Sequence, residues 1–173
     1  MLGFHANDDK RCKNFVDKGI LIIDENDTDY LGKGMYFLTN SNQAKWWKAE
    51  KKKDCIVKAI INIDEEEHLL DINDSECLER LQRLCQYIRQ AYNKQVKKLG
   101  YIGDAESAMG CKLNFIFDLY HSFSEKIDVI KGIYSIGEER SIFSGKTKFS
   151  TKCVEMLCVR HENVVSDRRF ING

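Results

Sequence analysis

The chain has 173 residues, 43% of them hydrophobic and 31% charged, with 27 basic residues balanced by 27 acidic ones. That is enough apolar material for one ordinary domain with its own core, and too much for a disordered chain. A formal net charge of zero leaves no bulk electrostatic argument for nucleic-acid or membrane binding, and no apolar run approaches the roughly 18–20 residues of a membrane-spanning helix.

The start, MLGFHANDDKRCK, turns polar too early for a secretory signal. Leu2–Ala6 reads as a short strand. Asp8 or Asp9 caps a helix to about Lys18, with Cys12, Phe15 and Val16 inward and Gly19 as its stop. The run ILII at 20–23 predicts a short buried strand or extended segment, and DENDTD at 24–29 a polar loop. The stretch YLGKGMYFLTNSNQAKWW follows, from Tyr30 to Trp47. Its two glycines suit a tight bend or a close approach. MYFL predicts a strand, with Tyr36 and Leu38 on one face and Met35 and Phe37 on the other.

Asn40 and Ser41 are good caps for a helix over roughly 42–53, and CIVKAIINI at 55–63 is a β-branched strand. From Ser75 to Leu99 the apolar positions step by three or four, predicting a long amphipathic helix. A second helix, about 106–123, is apolar on most sides. After it come a strand in IDVIKGIYSI, a long polar loop over 137–152, and a strand in CVEMLCVRH. Strands at both ends, with helices between and beside them, predict an α+β domain spanning 1–173.

The seven cysteines are odd in number and sit mostly in apolar patterns without a CxxC pair, which reads as buried free thiols in a reducing, cytoplasmic setting. None of the four histidines stands at metal-ligand spacing from a cysteine, so no metal is expected. By itself, His5 in GFHA is more often an ordinary surface or hydrogen-bonded histidine than a functional one. Tyr36 is more often a core aromatic than a ligand contact. Glu155 puts a carboxylate in an otherwise apolar strand, where it must be paired, hydrogen-bonded or shifted in pKa; an edge strand with Glu155 turned to solvent is the alternative. KWWKAEKKK, 45–53, interleaves lysines with two tryptophans, either a nucleic-acid surface or a solvated helix face over a buried Trp46 or Trp47.

His5 in FHA, Tyr36 in LGKGMYF, the helix opening NQAKWW and Glu155 on a late strand occur in an order that resembles the mono-ADP-ribosyltransferase superfamily. The similarity is to its His-Tyr-Glu branch, that of poly(ADP-ribose) polymerases and diphtheria-type toxins. The resemblance implies a split, two-sheet core with flanking helices. It also implies NAD as substrate, cleavage of the nicotinamide–ribose bond, and transfer of ADP-ribose to a protein or nucleic-acid acceptor. For a toxin-like or modifying enzyme of this kind, an antitoxin or immunity protein as a partner stays open.

By the same resemblance, His5 bonds a ribose hydroxyl, the backbone of Ala6 grips the nicotinamide amide, and Tyr36 stacks on the nicotinamide ring. Glu155 orients the ribose and stabilises its developing positive charge. Gly32 and Gly34 bring the loop close to the nucleotide, and the loop residues Glu138, Glu139 and Arg140 either contact an acceptor or are solvated loop charge. The chain departs from the pattern in two places. HAN stands where the polymerases have HGT, and Gln43 replaces the serine that precedes the helix alanine, with Ser41 as its substitute. A shift of one residue would put Met156 at the third catalytic position, and the chain would then be a non-catalytic NAD- or ADP-ribose-binding regulator.

Overall fold

The structure, a computed structural model, describes residues 1–24, 30–64, 68–84, 86, 109–135, 139–141, 148–150 and 153–171. Among them, β1 (Leu2–Asn7), β2 (Met35–Leu38), β3 (Cys55–Ile61), β4 (Leu69–Asp71), β5 (Val129–Ser135), β8 (Cys153–Val159) and β9 (Val165–Phe170) form one sheet. Its order is β4-β5-β8-β2-β1-β3-β9. A separate antiparallel ribbon pairs β6 (Glu139–Ser141) with β7 (Lys148–Ser150). The helices are α1 (Asp9–Lys18), α2 (Ser41–Glu50), α3 (residues 75–84), α4 (Met109–Leu119) and α5 (His121–Ser124). The domain is α+β.

Strand alternation sorts the core into two layers. Phe4, Ala6, Leu38, Met156 and Cys158 face one side, where α2 adds Ala44 and α4 adds Leu113 and Ile116. Met35, Phe37, Val57, Leu157 and Val159 face the other, closed by Cys12 and Phe15 of α1. Burying a phenylalanine as fully as Phe15 contributes about 2–3 kcal/mol. Helix α1 ends as the sequence predicts: Gly19 adopts φ +75°, and its N–H donates to the Phe15 carbonyl.

The sheet narrows at one place. β1 and β3 share six register pairs from Leu2↔Ile60 to Asn7↔Cys55, whereas β1 and β2 share only Phe4↔Leu38. The expected split into two sheets is not seen among these seven strands, which form one sheet with a seam. The reason is that β2 takes β8 as its main partner, from Met35↔Val159 to Leu38↔Met156, while β1 runs on past Phe4 along β3.

Other expectations need correction. ILII is not a strand: Ile20 is half exposed, and Leu21 and Ile22 lie against the α1-side core as irregular backbone. The apolar run at 106–123 breaks after Leu119 into α4 and α5. The 137–152 loop contains the β6–β7 ribbon, and β4 and β9 are strands in segments that carried no clear strand pattern. Cys12 and Cys158 are buried free thiols, but Cys153 is exposed. The 24–29 loop beyond Asp24, and the predicted long helix beyond residue 86, lie outside the described residues. No helix among the described residues is long and apolar enough to cross a membrane.

Candidate functional site

Past Phe4 and Leu38 the two strands part, and a cavity of about 240 Å3 opens between them. β1 supplies Phe4, His5, Ala6 and Asn7 to its wall; β2 and its approach supply Gly34, Tyr36 and Leu38; β8 supplies Met156. Helix α2 contributes Trp47, which also packs into the first core layer. Among the described residues, the charged groups on the wall are Arg11, Asp24 and Lys53.

His5 and Tyr36 meet directly. His5 Nδ1 lies 2.6 Å from the Tyr36 carbonyl oxygen. A carbonyl only accepts, so Nδ1 carries the proton, and Nε2 is the acceptor for the Asn7 amide at 3.1 Å. Burial is the largest reason that His5 titrates only at about 4 instead of 6.5; the Tyr36 carbonyl opposes it, and the charges of Lys53 and Arg11 add to it. His5 is therefore a neutral side chain at ordinary pH. Asn7 is itself held: its Oδ1 accepts from Asp8 N at 2.8 Å and lies 3.5 Å from Lys53 Nζ.

Tyr36 spends its hydroxyl inside the protein. The hydroxyl donates to Gly32 O at 2.7 Å and accepts from Leu31 N at 2.9 Å. Tyr30, also on the wall, meets its ring edge-on with centroids 6.3 Å apart. What Tyr36 gives the cavity is a ring, positioned by its oxygen.

The two glycines act differently from expectation. Gly32 stands outside the wall at φ +82°, and a Cβ there would lie 2.3 Å from Asn114 Oδ1 of α4. Gly34 does line the cavity, but its lack of a side chain is required from behind, where a Cβ would lie 2.4 Å from Cys158 Sγ and 2.8 Å from Val159 O. Both serve helix and strand packing at the back of the turn.

Ser41 opens α2 and Gln43 bridges to β8, its amide donating to Cys153 O at 3.0 Å; neither is on the wall. Glu138 lies outside the described residues, while Glu139 and Arg140 pair with Ser150 and Phe149 in the ribbon.

The largest departure concerns Glu155. On β8, Met156 and Cys158 face the cavity side with Tyr36, so Glu155 shares the opposite face with Leu157 and Val159. There its Oε1 lies 3.2 Å from Lys131 Nζ, which lies 3.2 Å from Asp71 Oδ2 on the next strand. Burial works against the charge on Lys131, but the bonds to Asp71 and Glu155 more than offset this and raise its pKa. Glu155 is thus paired, as a carboxylate in an apolar strand must be, and side-chain alternation along β8 keeps it on the face away from the cavity.

No protein-family model, curated protein or solved structure matches the chain. The geometry alone therefore bears on its function. Sequence reasoning did not single out Asn7, Arg11, Asp24, Tyr30 or Lys53 as wall residues. Asn7 carried a signal as a departure from the expected motif, and Trp47 and Lys53 lay in a stretch read only as a surface.

Proposed function

We propose that the cavity at the β1–β2 seam binds NAD, and that the chain is an ADP-ribosyltransferase that passes ADP-ribose to a protein or nucleic-acid acceptor. The observation that carries this is the convergence of His5, Ala6 and Tyr36 where the two strands part. The Tyr36 ring suits stacking on nicotinamide, whose ring cation is attracted to a π face by about 0.5–2 kcal/mol. Because Asn7 caps His5 Nε2, the Asn7 amide is the group offered to a ribose hydroxyl, with His5 fixing its position.

In the reaction, the bond between ribose C1′ and the nicotinamide nitrogen breaks and its electron pair leaves with nicotinamide. The acceptor's nucleophile then bonds to C1′ and loses its proton. Positive charge on the ribose needs a nearby carboxylate in a preorganised position. Glu155 fills that role only if its end of β8 turns toward the cavity.

A second reading is favoured by a specific observation: Met156 lines the wall and Glu155 is held by Lys131 on the other face. On that reading the chain binds NAD or ADP-ribose as a regulator and cleaves nothing.

Nicotinamide release from NAD by the purified protein, beside thermal protection by NAD, decides between them. Transfer requires release that Tyr36→Ala and Glu155→Gln both abolish. Protection without release establishes the regulator, and neither release nor protection refutes both.

A further inference from the structure

Helix α2 ends on a turn that is backbone-strained for its residue type. Lys53 N–H donates to Lys48 O at 2.9 Å and Lys52 N–H to Ala49 O at 3.3 Å, the paired bonds of a Schellman closure. The left-handed position of this motif, usually glycine, is Lys52 at φ +50°. A non-glycine residue there is disfavoured, and such outliers gather where geometry serves a ligand. The closure delivers Lys53 to the cavity, where Asp8 Oδ1 at 3.2 Å and Asn7 Oδ1 at 3.5 Å fix its ammonium. Arg11, two residues into α1 from Asp9, reaches the same wall.

We propose that Arg11 and Lys53 form a phosphate-recognising rim, so that the cavity takes phosphorylated nucleotides and rejects the corresponding nucleosides and free bases.

Three observations support this. The polar atoms of His5 and Tyr36 are already bonded within the protein, and among the described wall residues the cations are Arg11 and Lys53. Their charge is felt inside the cavity, since both act to disfavour a proton on His5. The cavity volume, about 240 Å3, is below the roughly 300–1,000 Å3 of pockets that engulf a whole ligand, so a dinucleotide must extend along the rim. Among the described residues the acids nearby are Asp8, which holds Lys53, and Asp24 on the wall. The inference deepens the NAD reading and rests on the cavity being a nucleotide site.

Calorimetric titration of the full chain with NAD, ADP-ribose, ADP, nicotinamide riboside and adenosine tests it, using the wild type, Arg11→Gln, Lys53→Gln, the double variant and Lys53→Arg. NAD, ADP-ribose and ADP are expected to bind at least about tenfold more tightly than the two nucleosides. Each glutamine variant should lose about three- to tenfold for the phosphorylated ligands and nothing for the nucleosides, with Lys53→Arg restoring most of the loss. Arg11 is exposed, so Arg11→Gln reads binding without a folding penalty. Binding of ADP that depends on both cations, without any binding of NAD, keeps the rim and removes the NAD reading. NAD binding that survives the double variant, or nucleosides that match NAD, overturns the rim and leaves the NAD reading standing. No binding by any of the five overturns both.

Discussion

Lys53 and Lys131 each reach a carboxylate oxygen at 3.2 Å, yet their settings differ in kind. Lys131 lies between two acids, Asp71 and Glu155, on three neighbouring strands, and its charge is consumed by the sheet that holds it. Lys53 has one acid, Asp8, and an amide oxygen, and it stands on the wall of a cavity beside Arg11. A cation between two carboxylates is a rivet. With one carboxylate beside an opening it is positioned without being outnumbered by acids. The same contrast explains the two carboxylate roles expected of β8: once Glu155 is committed to the riveted face, the cavity face of β8 is left to Met156.

The largest effect expected from this contrast is in pH dependence. His5, on the cavity side, has its pKa lowered to about 4 from 6.5 in the unfolded chain. Between those values the unfolded chain binds the extra proton, so stability is fully present above about pH 6.5 and falls as pH drops toward 4. The loss is at most about 3 kcal/mol. Denaturant unfolding from pH 7 to 4 should show this slope in the wild type and a flatter one in His5→Gln; equal slopes would remove the buried neutral histidine from the account.

Next come the glycines behind each region. Gly34→Ala should cost about 2 kcal/mol or more, because its Cβ meets the Val159 backbone as well as the Cys158 sulfur. Gly132→Ala, beside Lys131, should cost about 1 kcal/mol, since its nearest neighbours are the ends of Leu31, Ile72 and Tyr134. Equal losses in thermal unfolding would show that β8 yields as easily as side chains do.

The smallest effect belongs to the rivet itself. A double-mutant cycle of Lys131→Met and Glu155→Gln should give a coupling of about 1 kcal/mol or less, because the two side chains are 26% and 33% exposed. A stable Glu155→Gln protein that keeps NAD binding and loses nicotinamide release would bring Glu155 back to the cavity.

Much of this was legible in the sequence. The stop of α1, the alternating faces of β2 and the start of α2 follow from residue types whose local preferences agree with the fold, whereas Asp8 begins α1 without a side-chain capping bond and pairs with Lys53. Asn40 caps α2 as expected, its side chain accepting from Asn42 N at 2.8 Å. The face of Glu155 was not legible, because β8 is covered on both sides. Val154, Met156 and Cys158 are as apolar as Leu157 and Val159, and alternation alone does not say which set meets Tyr36. β4 is too short to show a period, and β9, VSDRRF, is an edge strand whose exposed side chains read as loop. ILII left a strand and an unpaired extended segment open; with no partner strand among the described residues it is not a strand, and tertiary context overrode propensity. Asn7 and Lys53 meet only after the strands and the α2 turn are in place, so no local pattern announces them.

The position of β8 has a consequence for how the protein is made. It is the strand between β5 and β2, so within the sheet β4-β5 on one side and β2-β1-β3-β9 on the other are joined through residues 153–159. During synthesis the earlier strands must wait, with the edges of β2 and β5 unpaired, until that segment emerges. Closure across so long a stretch of chain is slow, and such edges invite mispairing in the interval. Because Met156 belongs to the late strand, the cavity wall is completed only when the sheet is, and a ligand meets a finished site or none.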